Sequence, residues 1–277
     1  MAMTSPMFTR VAHARTFLLS SLSSALSDIG KQTLALGLRE FRRARCIVNG
    51  CLAGDGEWIQ VSISSKHRFE DAEREAVYRA IAERRDMRHF RSEPVDEPTL
   101  RRLLHAAHQA PSVGLMQPWR LIRITDRSLR VQIHELVERE RQATAAALGG
   151  RSDEFLRLKV QGVLECAEVL IAALCDGRER HVFGRRTLPE MDLASVACAI
   201  QNLWLAARAE GLGMGWVSLF EPAELARLLD MPTGAKPIAI LCLGHVDKFY
   251  PAPMLELDGW TSRRPLQDFV FNNRWAG

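Results

Sequence analysis

Between Gly184 and Phe220 the chain reads GRRTLPEMDLASVACAIQNLWLAARAEGLGMGWVSLF. This is a basic loop, a long apolar helix and a short strand with almost no side-chain bulk. Met191, Leu193, Val196, Ala197, Ile200, Leu203, Trp204, Ala207 and Leu212 recur at three- and four-residue steps, and the alanines between them add small faces that let another backbone approach. A helix apolar over most of its girth predicts a central helix buried on both sides. Gly211 is placed to stop it, after which Gly213-Met214-Gly215-Trp216-Val217-Ser218 re-enters a strand. So bare a strand lets something flat, a backbone or a ring system, lie against the main chain.

The rest of the chain arranges itself around that unit. Asp71 to Arg84 predicts a helix with Asp71 as cap and Val77, Tyr78 and Ile81 on one face; Glu97-Pro98-Thr99 starts a second. Strands are expected over Leu121–Thr125, Val169–Cys175, Gly213–Phe220 and Pro237–Gly244, with helices over Ser128–Leu148 and Glu221–Leu229. Helices outnumber strands and do not alternate with them regularly enough for a doubly wound sheet, so the class is α+β.

Charge separates the chain into two parts, an extension over residues 1–68 and a domain over residues 69–277. Residues 1–68 hold nine Lys/Arg against four Asp/Glu, whereas the remainder holds 28 against 29, so the net +4 belongs to the N-terminal part. That part, with its Ser/Leu run (Phe17 to Leu26), basic patch (Arg39 to Arg45) and possible strand near Trp58 to Ile63, reads as an appended or poorly ordered extension. It gives no reason to expect a nucleic-acid partner. No apolar run approaches the roughly 20 residues that span a bilayer, so no membrane partner is expected. Six scattered cysteines without a CxxC pair, four of them in apolar patterns (Cys166, Cys175, Cys198, Cys242), suggest buried reduced thiols and a cytoplasmic location.

Familiar site signatures are mostly missing. The glycines of Gly211-Leu212-Gly213-Met214-Gly215 follow a helix and lead into a strand, the reverse of a dinucleotide fingerprint. His105 and His108 share a helix but have no third ligand nearby, so no metal centre is expected. The cluster Arg84-Arg85-Asp86-Met87-Arg88-His89-Phe90 says more. Arginine forks suit a phosphate, and Arg263 and Arg264 offer a second, distant pair; the competing reading is a solvated, salt-bridged helix end. Asp86, set among arginines, is expected to stay ionised, as a structural partner or a positioned base.

Taken together, RRDMRHF, the loop APSVGLMQPW (Ala110 to Trp119), GRRTLPEMDL, AIQNLWLAARAEGLGMGWVSLF and GWTSRRPL (Gly259 to Leu266) resemble the nitroreductase-like flavoproteins over about residues 70–277. The resemblance implies a sandwich with a mixed central sheet flanked by helices, an intertwined homodimer, and FMN at the dimer interface. It implies cofactor contacts from Arg84, Arg85, Arg88 and Arg263 to the phosphate and ribityl chain, from Ser112, Met116 and Gln117 in the loop, from Gly215 in the bare strand, and from Lys159. Members that recycle their flavin usually carry serine where this chain has Asp86. The resemblance is narrower to members that consume reduced FMN with oxygen, yielding dimethylbenzimidazole and erythrose 4-phosphate. It implies catalytic roles for Asp86, moving protons during ribityl cleavage, and for Ser218, bonding the flavin edge. NAD(P)H would then act indirectly, through a separate flavin reductase as partner. The alternative is an NAD(P)H-dependent FMN nitro, quinone or corrinoid reductase that leaves its flavin intact.

Overall fold

The computed structural model describes residues 67–275 and three short strands before them: β1 (Cys46–Ile47), β2 (Gly50–Leu52) and β3 (Trp58–Ile59). β1 pairs with β2 and β2 with β3, both antiparallel. β3 lies where the sequence suggests a strand; the Ser/Leu run and the basic patch fall outside the described residues. The chain divides into two compact units, residues 1–69 and 70–277.

The second unit is built on four strands: β4 (Trp119–Ile124), β5 (Glu168–Leu174), β6 (Gly213–Val217) and β7 (Lys236–Gly244), in the order β4-β5-β7-β6. All three pairings are antiparallel, so within this chain the four-strand sheet is antiparallel; the one parallel pairing described is an isolated bridge between Asp86 and Met214, on the free edge of β6. β5 is buried at every position because it is central and covered on both faces. Its residues alternate as a pleat requires. Leu170, Ala172 and Leu174 join a core with helices α2 (Glu97–His108) and α5 (Met191–Ala209). Val169 and Ile171 join the opposite core, with α3 (Arg127–Ala147) and α6 (Pro222–Leu228).

Helix ends follow local chemistry. The Asp96 carboxylate accepts the Thr99 N–H at 2.9 Å and starts α2, with Pro98 in its first turn, and Asp126 accepts the Ser128 N–H at 2.8 Å to start α3. Asp71 is not the cap of α1 (Asp71–Glu83): the cap is Glu70, whose N–H donates to Glu73 at 3.1 Å. Two short helices had no clear sequence signal, α4 (Ser152–Arg157) and α7 (Met254–Leu257).

Two burial expectations need correction. Within this chain α5 is covered on one side only, through residues such as Val196, Ile200, Leu203 and Ala207, while Leu193 is 46% exposed and Cys198 is an exposed thiol. The α1 stripe of Val77, Tyr78 and Ile81 also faces outward, and no residue of α1 is buried.

Candidate active site

The bare strand β6 organises a pocket through the segment that lies along it. The Met87 N–H donates to the Met214 carbonyl at 2.9 Å, which lays Asp86, Met87 and Arg88 against the edge of β6. Glycine at 215 makes this approach possible, since a Cβ there would stand 2.3 Å from the Met87 carbonyl oxygen and 2.7 Å from Arg88 Nη1. Asp86 is then pinned from two sides. Its Oδ1 accepts the Trp216 N–H at 2.9 Å, and its Oδ2 accepts from Arg88 Nη2 at 2.5 Å. The same Nη2 donates to the Trp216 carbonyl at 2.8 Å, whereas Arg88 Nη1 is buried without a partner. An orphaned buried donor costs about 1–3 kcal/mol, and such a donor beside a pocket is a ready contact for a ligand acceptor.

Asp86 and Arg88 open onto a cavity of 200 Å³ whose other walls are Phe155, Leu158, Val160, Trp216, Val217, Ser218, Leu219, Met254, Leu255 and Trp260. The two expected catalytic residues, Asp86 and Ser218, therefore share one pocket. The neighbouring arginines act on Asp86, but they are not the strongest influence on it. Burial is the strongest influence and holds its carboxyl above the ordinary range, with Arg88, the Trp216 N–H and Arg84 pulling the other way in that order. Its side chain is 43% exposed, but that surface faces a narrow, largely apolar cavity, where contact with a little water does not restore bulk hydration.

The arginines around the pocket do different work. Arg84 stacks on Trp204, its guanidinium carbon 4.4 Å from the ring centroid. Its own pKa is lowered, by burial first and then by Arg85 and Arg263, against the pull of Asp86. Arg84 and Arg263 are thus brought within electrostatic reach although far apart in sequence. Arg85 spends its terminal donors on the carbonyls of Ala82, Arg84 and Pro251. Tyr250 fastens the same C-terminal segment: its hydroxyl lies 2.7 Å from His89 Nδ1 and accepts the Arg88 N–H at 3.3 Å. Trp260 packs between Phe155 and the Arg151 guanidinium, which lies 3.5 Å over its ring.

The loop residues Ser112, Met116 and Gln117 lie elsewhere. Ser112 Oγ accepts the Gln117 N–H at 3.0 Å, and Ser195 on α5 accepts the Val113 N–H at 3.1 Å. Gly114, Leu115 and Gln117 all have positive φ (53°, 53° and 49°), a strained shape that these hydroxyls help hold. The loop enters β4 at Trp119, level with Leu174 and, one strand further, Lys236, whereas Asp86 sits at Met214, level with Leu243. Lys236 to Leu243 is a rise of about 23 Å, and crossing four strand spacings, the bridge from β6 to Asp86 included, displaces the two sideways by about 19 Å. Within one chain, then, the loop stands well away from the Asp86 pocket. Lys159 also stands outside the pocket lining, its ammonium paired with Glu165 at 2.7 Å.

Sequence reasoning missed the apolar walls from α4, α7 and their flanks, because such residues look like any core. Trp260 alone had a signal, within the late GWTSRRPL segment. His105 and His108 bond to Gln109 and Trp119, and no group of three metal-ligating side chains exists among the described residues. Among those residues no helix is long and apolar enough to cross a membrane.

Residues 81–245 match the model of the nitroreductase family. A relative named 5,6-dimethylbenzimidazole synthase, from Rhodospirillum rubrum, is 42% identical over 200 residues, covering 71% of this chain and 94% of its own. A second of that name, from Rhodobacter capsulatus, is 36% identical over 201 residues, covering 72% of this chain and 97% of its own. Among solved structures, oxidised iodotyrosine deiodinase bound to FMN and 3-iodo-L-tyrosine shares the fold, with a TM-score of 0.57 at 24% identity over 72% of this chain and 100% of that one. The chain belongs to the nitroreductase family and, within it, stands with the 5,6-dimethylbenzimidazole synthases.

Proposed function

We propose that this protein is an enzyme that converts reduced FMN and oxygen into 5,6-dimethylbenzimidazole and erythrose 4-phosphate, the remaining carbons and nitrogens of the flavin's pyrimidine ring leaving as a separate oxidised fragment. The carrying observation is Asp86, a largely desolvated carboxyl that shares a pocket with Ser218 on a strand bare enough to lie against a flat ring system. The pocket suits such a substrate in three respects. Outside its lining, Arg84 and Arg263 lie within electrostatic reach of each other, and among the described residues no carboxylate is hydrogen-bonded to either guanidinium, as a phosphate site requires. Arg88 Nη1 is a buried donor without an acceptor. The remaining walls are apolar and aromatic.

Bound reduced FMN would supply the electrons that activate oxygen. The protein's share is to hold and to move protons: Arg84 and Arg263 hold the phosphate end, Arg88 donates to an acceptor on the ligand, and Ser218 hydrogen-bonds its edge. Asp86 exchanges a proton where the ribityl chain is cut. Arg85 contributes charge rather than direct bonds, its terminal donors being committed to carbonyls.

The active unit in this proposal is an intertwined homodimer. A cavity of 200 Å³ is smaller than the roughly 300–1,000 Å³ of ordinary small-molecule sites, and Ser112, Met116 and Gln117 stand too far away to complete it within one chain. A two-fold axis would bring the loop of one copy to the pocket of the other. It would also cover the outward faces of α1 and α5 and the exposed Leu115, Phe183, Leu266, Phe269 and Trp275.

The test is aerobic incubation with FMN, NADPH and a separate flavin reductase, followed by chromatography with mass detection. Dimethylbenzimidazole formed in step with flavin loss supports the proposal. Intact flavin with rapid NADPH oxidation by this protein alone would establish the reductase alternative instead.

A further inference from the structure

Asp86 sits in an arrangement that a ligand must disturb. Its two oxygens are held by the Trp216 N–H and by Arg88 Nη2, and the residue lines the pocket. Among the described residues lining the pocket within this chain, none besides Arg88 can balance a negative charge. Leu158 and Val160 line one side, Met254 and Trp260 another, and Ser218 the end of β6. Arg84 acts on Asp86 from farther off, behind Arg88 in effect. Of the cations around α4, none lines the pocket: Lys159 is committed to Glu165, Arg151 to Glu154, and Arg157 is exposed. Arg88 is therefore the main counter-charge, and it is divided: Nη2 serves both Asp86 and the Trp216 carbonyl, while Nη1 has no partner.

We propose that a flavin seated over this opening drives one proton from solvent onto Asp86, and that Arg88 is the positioning residue that keeps the carboxyl ionised until then. The inference rests on the flavin-binding reading above and adds the charge state in which the site goes to work. Three effects act in the same direction when the pocket fills. The ring system displaces the last water near the carboxyl, which disfavours its charged form. An anionic ligand adds like charge nearby. A ligand acceptor also gives the unpartnered side of the Arg88 fork a reason to turn, and turning loosens its hold on Oδ2. Burial is already the leading influence on this carboxyl, so removing more water extends a balance that is tilted before the ligand arrives. Asp86 then meets the reaction in its protonated form, able to give its proton where the ribityl chain is cut.

The experiment is a calorimetric titration of the full-length protein with oxidised FMN, without turnover, in buffers of differing ionisation enthalpy. Riboflavin serves as a control without the phosphate, which itself titrates near about pH 6. The wild type should take up about one proton per flavin. Its affinity should fall by up to about tenfold per pH unit through the window between the free and bound titrations of Asp86. Asp86→Asn should abolish both effects. Arg88→Gln should bind more weakly and take up less, its carboxyl being protonated beforehand, and Arg88→Lys should restore part of the uptake. Equal uptake by wild type and Asp86→Asn, or a riboflavin affinity flat from about pH 5 to 9, overturns the proposal; the second readout needs only the wild type. Proton uptake without dimethylbenzimidazole in the aerobic assay would keep this inference and remove the synthase reading. Dimethylbenzimidazole without proton uptake would do the reverse, and no flavin binding at all would remove both.

Discussion

Asp86 and Asp192 are both aspartates held by arginine, yet their surroundings give them opposite tasks. Asp192 is 4% exposed in the first turn of α5, where it accepts from Arg178 Nε at 3.1 Å and from Arg185 Nε at 2.8 and 2.9 Å. Two cations and the positive end of a 19-residue helix surround it. That over-compensated carboxylate ties the 177–190 loop to the central helix. Asp86 has one contacting cation, one backbone donor and an open side. The difference teaches that a carboxylate closed off by two arginines fastens a loop, whereas one held by a single arginine and a backbone N–H keeps a side open to the pocket.

The largest effect should come from removing the acid. Asp86→Asn should lower dimethylbenzimidazole formation by roughly 10²–10⁴-fold with flavin binding retained, measured by mass-detected product against bound FMN. Full activity in this variant would erase the distinction between the two aspartates. Asp192→Ala should destabilise the fold by about 3 kcal/mol, because it strands two arginines, seen as a lower urea midpoint. Its dimethylbenzimidazole yield per folded protein should stay within about twofold; a collapse comparable to that of Asp86→Asn would show that Asp192 also serves the reaction.

Gly215→Ala sharpens the comparison by disturbing the frame of Asp86 without touching its charge. The added methyl collides with Met87 and Arg88 and should cost about 1–3 kcal/mol, together with weaker FMN binding in a fluorescence titration. The pH dependence has a definite sign. A carboxyl whose folded pKa is raised contributes stability below its unfolded value, near about 3.9, and loses it as pH rises through the folded value. Relative to Asp86→Asn, the wild type should therefore look most stable in acid and lose ground toward neutrality, by urea midpoints across that range. Lys159→Ala should do least, since a partly exposed pair with Glu165 contributes about 0–1 kcal/mol. A large loss of FMN affinity would place Lys159 at the ligand after all.

What the sequence disclosed depended on whether a residue's role is carried by its neighbours in the chain or by distant ones. β5 and β7 were legible because a strand covered on both faces must be almost continuously apolar. α5 was legible as a helix, but its periodicity did not show that only one of its faces is covered within the chain. The RRDMRHF cluster announced charge without showing that Arg85 turns its donors to carbonyls, and so the arginines seemed to govern Asp86 when burial does. Asp86 and Ser218 were linked through the family resemblance, since no spacing rule joins residues so distant. The apolar pocket walls carry no mark that separates them from ordinary core.

The bridge between Asp86 and β6 has a consequence for how the molecule is made. Trp216, which fixes the Asp86 carboxyl, follows it by 130 positions, and β7, which backs β6, follows later still. At a ribosomal pace of about 5–20 residues per second, Asp86 leaves the exit tunnel on the order of ten seconds before the strand that will seat it. During that interval Arg84, Arg85 and Arg88 are an exposed basic cluster with no architecture behind them. The reactive end of the pocket is thus among the last features of the nascent chain to be completed, and a truncated product lacks it altogether.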